Sequence, residues 1–262
     1  MDLEISGKRA LVLASSQGLG LGIAEALAAE GVNVLICGRS HEKLASAAAA
    51  INGRKMGEAH FAAIDLTDRN SAQTLYDAAG SKLGGVDILI NNTGGPPPGS
   101  VLEPDAETWR SFFDVMVLRL IEITNLCLPA MRAAKWGRIV TVTSMGVQQP
   151  IPILGISNTL RPALVGWNKS LATALAAEGI TANVLLPGRI STERTATIDQ
   201  ANAHASGKSV ADIEARSKAG IPVGRYGRVE EFGATAAFLC GRSAGYITGS
   251  ALRVDGGVIA SV

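Results

Sequence analysis

The stretch from Arg9 to Arg39, RALVLASSQGLGLGIAEALAAEGVNVLICGR, decides the fold. Arg9 to Leu13 is a short apolar run that leads into the turn ASSQGLGLG. IAEALAAEG is an alanine- and leucine-rich helical segment ending at Gly31, and VNVLIC is a second apolar run closed by Gly38. The order is strand, glycine turn, helix, strand. Parallel strands need a crossover of this kind.

The same alternation continues outward from that unit. HEKLASAAAAI reads as a helix, HFAAID as a strand ending at Asp65, and Asn70 to Leu83 as a polar helix. VDILINN is an apolar strand stopped by GGPPPG. A long helical stretch is expected from about Ala106 to Ala134, and GRIVTVTS is a β-branched strand. The helix that follows carries Leu160, Leu164, Trp167, Leu171 and Leu175 on one face. ITANVLLPG is another strand. A polar, weakly patterned region spans Arg189 to Gly220, and a helix around Val229 to Cys240 and a strand near ALRVDGG close the series. Alternating strands and helices predict an α/β fold: one doubly wound domain over residues 1–262, with a mainly parallel seven-stranded sheet and helices on both faces. No fixed-period repeat or linker divides the chain.

Composition narrows the function classes. The 262 residues suit one large α/β core, and apolar residues make up 47%. A formal net charge of +1 supplies no basic field for nucleic acid or an anionic membrane. Cys37, Cys127 and Cys240 are far apart, so neither a disulfide framework nor a metal site is expected. The start, with two acids in its first four residues, is unlike a secretory signal, and the apolar runs are strand-sized. The expectation is a soluble cytoplasmic protein.

The turn Ser15-Ser16-Gln17-Gly18-Leu19-Gly20 brings backbone N–H groups and a helix N-terminus to where a phosphate would lie. A tight turn with no ligand has the same local sequence. What adds to it is the order of further motifs. These are Asn91-Asn92-Thr93-Gly94, Asp65 after the third strand, Pro187-Gly188 followed by Ile190 and Thr192, and IPVGRYGRVEEFGATAAFLCGRSAGYITGSALRVDGG near the end. Over almost its whole length the chain resembles the short-chain dehydrogenase/reductase family, and within it a divergent subgroup similar to 3-oxoacyl-carrier-protein reductases. The resemblance implies a Rossmann dinucleotide site. Ser15, Gln17, Gly18, Leu19 and Gly20 would meet the phosphates and Asp65 the adenine. Asn91, Thr93 and Gly94 would border the cofactor, and Pro187, Gly188, Ile190 and Thr192 would meet the nicotinamide. It also implies a substrate lid at about 189–220 and a homotetramer or homodimer built on the two long helices. The family turn reads T-G-x-x-x-G-x-G. Here Ala14 replaces the first glycine, so the methyl should tighten the turn and a glycine-specific backbone angle should be lost.

The second strand is followed by Gly38-Arg39-Ser40, with no acid to take ribose hydroxyls. A guanidinium suits a 2′-phosphate, so NADP(H) is favoured over NAD(H), unless Arg39 is simply a solvated surface residue.

The family's catalytic set is Asn, Ser, Tyr and Lys, the last two as Y-x-x-x-K. Ser144 matches the serine. In the register fixed by ALVGWNKSLATALAAEGITANVLLPG, the tyrosine position is Ser157, the lysine position Arg161 and the asparagine position Met116. The chain's three tyrosines, Tyr76, Tyr226 and Tyr246, are followed four residues later by Gly80, Glu230 and Ser250, so no Y-x-x-x-K exists in any register. Serine is a far weaker acid than a phenol, and arginine stays protonated. Arg161 is still suited to holding hydroxyls, a carboxylate or a phosphate, or to stabilising a developing alkoxide. Ser157 and Arg161 share a helical face, either lining a cleft or facing solvent at a helix start. His204 in the polar region is read as an exposed loop residue, and Asp199, Lys208 and Asp212 as solvated charges. Three functions remain open. The first is an atypical NADP(H)-linked oxidoreductase acting on a carbonyl or alcohol substrate, with Ser144, Ser157 and Arg161 at its catalytic site. The second is a catalytically impaired nucleotide-binding sensor or assembly protein, and the third a lyase or isomerase using the same cleft.

Overall fold

A computed structural model describes residues 2–54 and 56–261. Among these residues seven strands form one sheet in the order β3-β2-β1-β4-β5-β6-β7, and every neighbouring pair is parallel. The strands are β1 (Arg9–Val12), β2 (Asn33–Gly38), β3 (Ala59–Ala63), β4 (Ile88–Asn91), β5 (Gly137–Val142), β6 (Ile180–Pro187) and β7 (Ala251–Val254). The chain starts in the middle, builds outward to β3, then returns to add β4 on the other side of β1. That reversal leaves a crevice beyond the carboxyl ends of β1 and β4, where open α/β sheets bind ligands.

The central strands are apolar along their whole length because both faces are covered. Their pleat divides the side chains. Ala10, Val12, Val34, Ile36, Ile88, Ile90, Val140 and Val142 enter one core. There they meet α1 (Gly18–Ala29), α2 (His41–Asn52) and α9 (Val229–Cys240). Leu11, Leu13, Leu35, Leu89 and Ile139 enter the other, against α3 (Ser71–Leu83), α5 (Arg119–Ala134) and α6 (Gly155–Leu175). α1 and α9 cross closely: a Cβ on Gly233 would lie 2.4 Å from the Gly22 carbonyl oxygen, so only glycine fits that crossing. The three cysteines are buried, and burial pushes each thiol up to about 12, the state of inert structural cysteines.

The long helix expected over Ala106–Ala134 is real but interrupted. α4 (Ala106–Phe113) runs into a π turn over Asp114–Leu118 before α5 begins. Met116 sits in that turn and is buried in the second core. The apolar stripe of α6 is turned to this chain's own sheet: Leu160, Leu164 and Leu175 are buried there, with Trp167 and Leu171 packed beside them.

The polar region from Arg189 to Gly220 is more ordered than its sequence pattern predicts. It folds as a helical hairpin, α7 (Glu193–Ser206) and α8 (Val210–Ala219). Thr192 and Ser209 cap the two helices by accepting hydrogen bonds from Thr195 and Asp212 N–H, and Gly207 ends α7 at φ +64°. Few residues of the hairpin are buried, which is why no amphipathic stripe marks it.

Candidate active site

A cavity of about 460 Å³ opens at the β1/β4 reversal. The glycine turn, the segments 92–95, 142–145 and 187–192, and the helices α6 and α7 build most of its wall. The glycine turn comes first in the chain. Ala14 takes the left-handed conformation, φ +46°, despite its methyl, so the angle that the sequence suggested would be lost is kept. That conformation costs an L-residue roughly 1–2 kcal/mol. What holds it is Asn92, whose Nδ2 donates to the Leu13 and Ala14 carbonyls at 3.2 and 3.1 Å. Gly20 is needed at the next turn: a Cβ there would meet the Ala14 oxygen at 2.5 Å and Asn92 Nδ2 at 2.9 Å. α1 then begins at Gly18 with no side chain capping its N–H groups and no acid in its first turn, and a Cβ on Gly18 would meet only the Thr192 side chain, at 3.9 Å. Free N–H groups at a helix start with no competing carboxylate fit a phosphate.

The expected cofactor residues divide by position. Gln17, Gly18, Leu19, Thr93, Gly94, Pro187, Gly188, Ile190 and Thr192 line the cavity. Thr93 Oγ1 is buried with no hydrogen-bond partner among the described residues, as a wall awaiting a polar ligand would leave it. Ser15 and Asn91 instead serve the fold. Ser15 Oγ donates to Val12 O at 2.6 Å and accepts from Cys37 N at 3.0 Å, joining β1 to β2. Asn91 Nδ2 donates to Thr124 Oγ1 at 3.0 Å, joining β4 to α5. Gly20 lies just behind the turn. Arg39 and Asp65 stand past the ends of β2 and β3, outside the cavity but on the same carboxyl edge of the sheet. Arg39 is exposed, and Asp65 accepts a hydrogen bond from Thr67 N–H at 3.0 Å.

Ser144, Ser157 and Arg161 all reach the cavity. Ser144 lies two residues past the end of β5 and caps a 3₁₀ turn, its Oγ accepting from Gly146 N–H at 3.0 Å. Ser157 and Arg161 lie on α6 and are buried rather than solvent-facing, at 6% and 7% exposure. Arg161 Nε donates to Ser157 Oγ at 3.2 Å, and Nη1 donates to Val142 O at 3.1 Å. Burial pulls the Arg161 guanidinium down to about 10, and the nearby Arg194 adds to the effect. It remains a cation at neutral pH. Among the described residues no tyrosine, lysine or histidine lines the cavity.

Sequence reasoning missed three features of this wall. Arg194, in the first turn of α7, faces the cavity and hydrogen-bonds the Pro96 carbonyl. Asp199 is not a solvated charge. It is 1% exposed, pairs with Arg189 and accepts from Tyr226 Oη at 2.8 Å, while Lys208 and Asp212 are exposed as expected and His204 is exposed but lies on α7 rather than in a loop. At the cavity mouth, Gln17 Nε2 donates to Glu193 at 2.6 Å, and Lys43 Nζ donates to Gln17 Oε1 at 2.5 Å, tying the glycine turn to α7.

Residues 13–259 match the family model described as enoyl-(acyl carrier protein) reductase. The chain belongs to the short-chain dehydrogenase/reductase family. The 3-oxoacyl-[acyl-carrier-protein] reductase of Aquifex aeolicus is 32% identical over 259 residues, covering 98% of this chain and all of that protein. The D-beta-hydroxybutyrate dehydrogenase of Cupriavidus necator is 30% identical over 98% of this chain and 99% of its own. Among solved structures, L-sorbose reductase from Gluconobacter frateurii, in complex with NADPH and L-sorbose, superposes with a TM-score of 0.94 at 29% identity, each chain fully covered. These short-chain dehydrogenase/reductase relatives are oxidoreductases that act on CH–OH or keto groups, and this chain resembles them from end to end.

Proposed function

We propose that the protein is an atypical NADP(H)-linked oxidoreductase that interconverts a carbonyl and an alcohol. The observation that carries this reading is convergence. The glycine turn, the Thr93–Gly94 loop, the Pro187–Thr192 segment and the polar set Ser144, Ser157 and Arg161 all border one cavity. The bound nicotinamide would supply or accept hydride. The chain's residues would bind and orient the carbonyl. Ser157 Oγ already accepts from Arg161 Nε, and Ser144 Oγ from Gly146 N–H, so both hydroxyls are left to donate to one substrate oxygen. Arg161 places positive charge behind that oxygen as it becomes an alkoxide. Solvent is the proton source, because a serine is too weak an acid for the task and Arg161 keeps its proton at neutral pH. Arg39 and the 2′-phosphate give the preference for NADPH. A homotetramer, or a homodimer within it, fits the family pattern.

Reduced-nicotinamide fluorescence tests this directly. NADPH should bind more tightly than NADH, Arg39→Ala should narrow the gap, and a ketone panel should yield slow NADPH oxidation. Binding of neither nucleotide overturns the reading. One observation favours a second reading: the cavity lacks any phenol or ammonium among the described residues. Tight NADPH binding with no turnover on any ketone would make the chain a nucleotide-binding sensor or assembly protein.

A further inference from the structure

The cavity wall holds more positive charge than its neighbours neutralise. Three arginines reach it: Arg161, Arg189 and Arg194. Arg189 shows the ordinary solution, since Asp199 pairs with it and Tyr226 holds Asp199 in place. Arg161 and Arg194 have no carboxylate partner among the described residues. Arg161 uses Nε and Nη1 on Ser157 and Val142, which leaves the Nη2 edge of a buried guanidinium without a partner among the described residues. Arg194 comes from the facing helix, touches the Pro96 carbonyl and lies against Gly95, and has no other hydrogen bond among the described residues. The acid that lines the wall, Glu193, is engaged at the mouth by Gln17 and Lys43. Arg161 is buried and Arg194 half-buried, so neither cation is fully hydrated, and an anionic ligand in the cavity would supply the counter-charge that both lack among the described residues.

We propose that Arg161 and Arg194 form an anion subsite inside the cavity, and that the substrate is an oxo acid or hydroxy acid whose free carboxylate it holds. The inference deepens the oxidoreductase reading and rests on it for the word substrate. The binding claim stands apart. Two guanidinium groups on facing elements clamp a planar carboxylate through paired N–H donors. Ser144 and Ser157 then meet the carbonyl or hydroxyl oxygen a bond or two away. A neutral ketone, or an acid masked as an ester, leaves both cations unpaired and is disfavoured. The two cations come from α6 and from the helical hairpin, so a bound anion would bridge the two elements.

The test is calorimetric titration of the intact protein with acetoacetate, malonate and succinate, and with methyl acetoacetate as the neutral control, each with and without saturating NADPH. Saturable binding of at least one carboxylate is expected. Methyl acetoacetate should bind at least about tenfold more weakly than acetoacetate, the size expected for a lost charge-assisted pair. Arg194→Gln and Arg161→Gln should each weaken carboxylate binding about tenfold or more, and Arg194→Lys should restore part of it by keeping charge without the fork. Circular dichroism of each variant checks that it is folded. No saturable carboxylate binding overturns the proposal. So does equal affinity for the ester. NADPH competing with the carboxylate also overturns it, since the arginines then serve a cofactor phosphate. Carboxylate binding with no NADPH oxidation would leave the subsite standing and sink the oxidoreductase reading. Turnover of neutral ketones as good as that of oxo acids would do the reverse.

Discussion

The two ends of one cavity follow different rules. At the β1/β4 end the sequence departs from the family pattern, with Ala14 in place of glycine, yet the backbone keeps the left-handed turn. At the β5/α6 end the backbone is equally regular, but the side chains have changed, with Ser157, Arg161 and Met116 in place of a tyrosine, a lysine and an asparagine. A phosphate cradle is made of main-chain N–H groups and one helix start, so it survives substitutions that leave the path of the chain intact. Proton transfer is made of side-chain chemistry, and a single replacement changes it. On the proposed reading, the first end keeps nucleotide binding and the second changes the chemistry.

Breaking the cradle should have the largest effect. Gly20→Val drives a side chain into the Ala14 carbonyl and Asn92, and should abolish NADPH binding in a fluorescence titration. It should also cost about 1–3 kcal/mol in urea unfolding, the usual penalty of overpacking. If NADPH still binds at wild-type affinity, the turn is not the cradle. Removing the carboxylate of the buried pair, Asp199→Ala, leaves Arg189 without its partner and should destabilise the fold by up to about 3 kcal/mol. An unchanged urea midpoint would mean that the hairpin melts independently.

The chemical end is sharpened by restoring what was lost. The double change Ser157→Tyr with Arg161→Lys should raise steady-state ketone reduction by about 10²-fold, the lower range for a general acid. No gain would show that the buried environment of α6 does not admit the larger ring. Ser144→Ala should lower turnover about tenfold by removing one of two donors to the substrate oxygen. The smallest expected change is Ala14→Gly. It removes the left-handed penalty at the cost of a looser unfolded chain, for a net gain of about 0.5 kcal/mol in urea unfolding with NADPH affinity unaltered.

The sequence makes the sheet and most helices legible because both depend on apolar periodicity. Parallel strands buried on both faces read as unbroken apolar runs, and α9 falls on the residues expected from its pattern. The α7–α8 hairpin is a different case. Asp199 and Ala203 are the buried residues of α7, and Ile213 that of α8, so no stripe exists to be found. The signals present were the caps: Thr192 and Ser209, and Gly207 between the helices. The π turn at Met116 has no sequence signature, since its residues suit an α-helix equally well. The family resemblance brought Ser144, Ser157 and Arg161 together in the sequence, and all three line the cavity. The approach of Arg194 to the cavity was not legible, because it depends on how the hairpin folds back over the sheet. The burial of Asp199 was hidden for the same reason, as its partners Arg189 and Tyr226 lie ten and twenty-seven residues away.

The inert cysteines bear on how the hairpin is best studied. All three native thiols are buried and resist ionisation, so a maleimide or iodoacetamide dye has no ready target in the folded protein. A cysteine placed at exposed His204 on α7, with a second at exposed Glu42 on α2, would accept a donor–acceptor dye pair without first stripping the chain of its own sulfur. The molecule comes ready for watching, one copy at a time, whether a carboxylate draws the hairpin down.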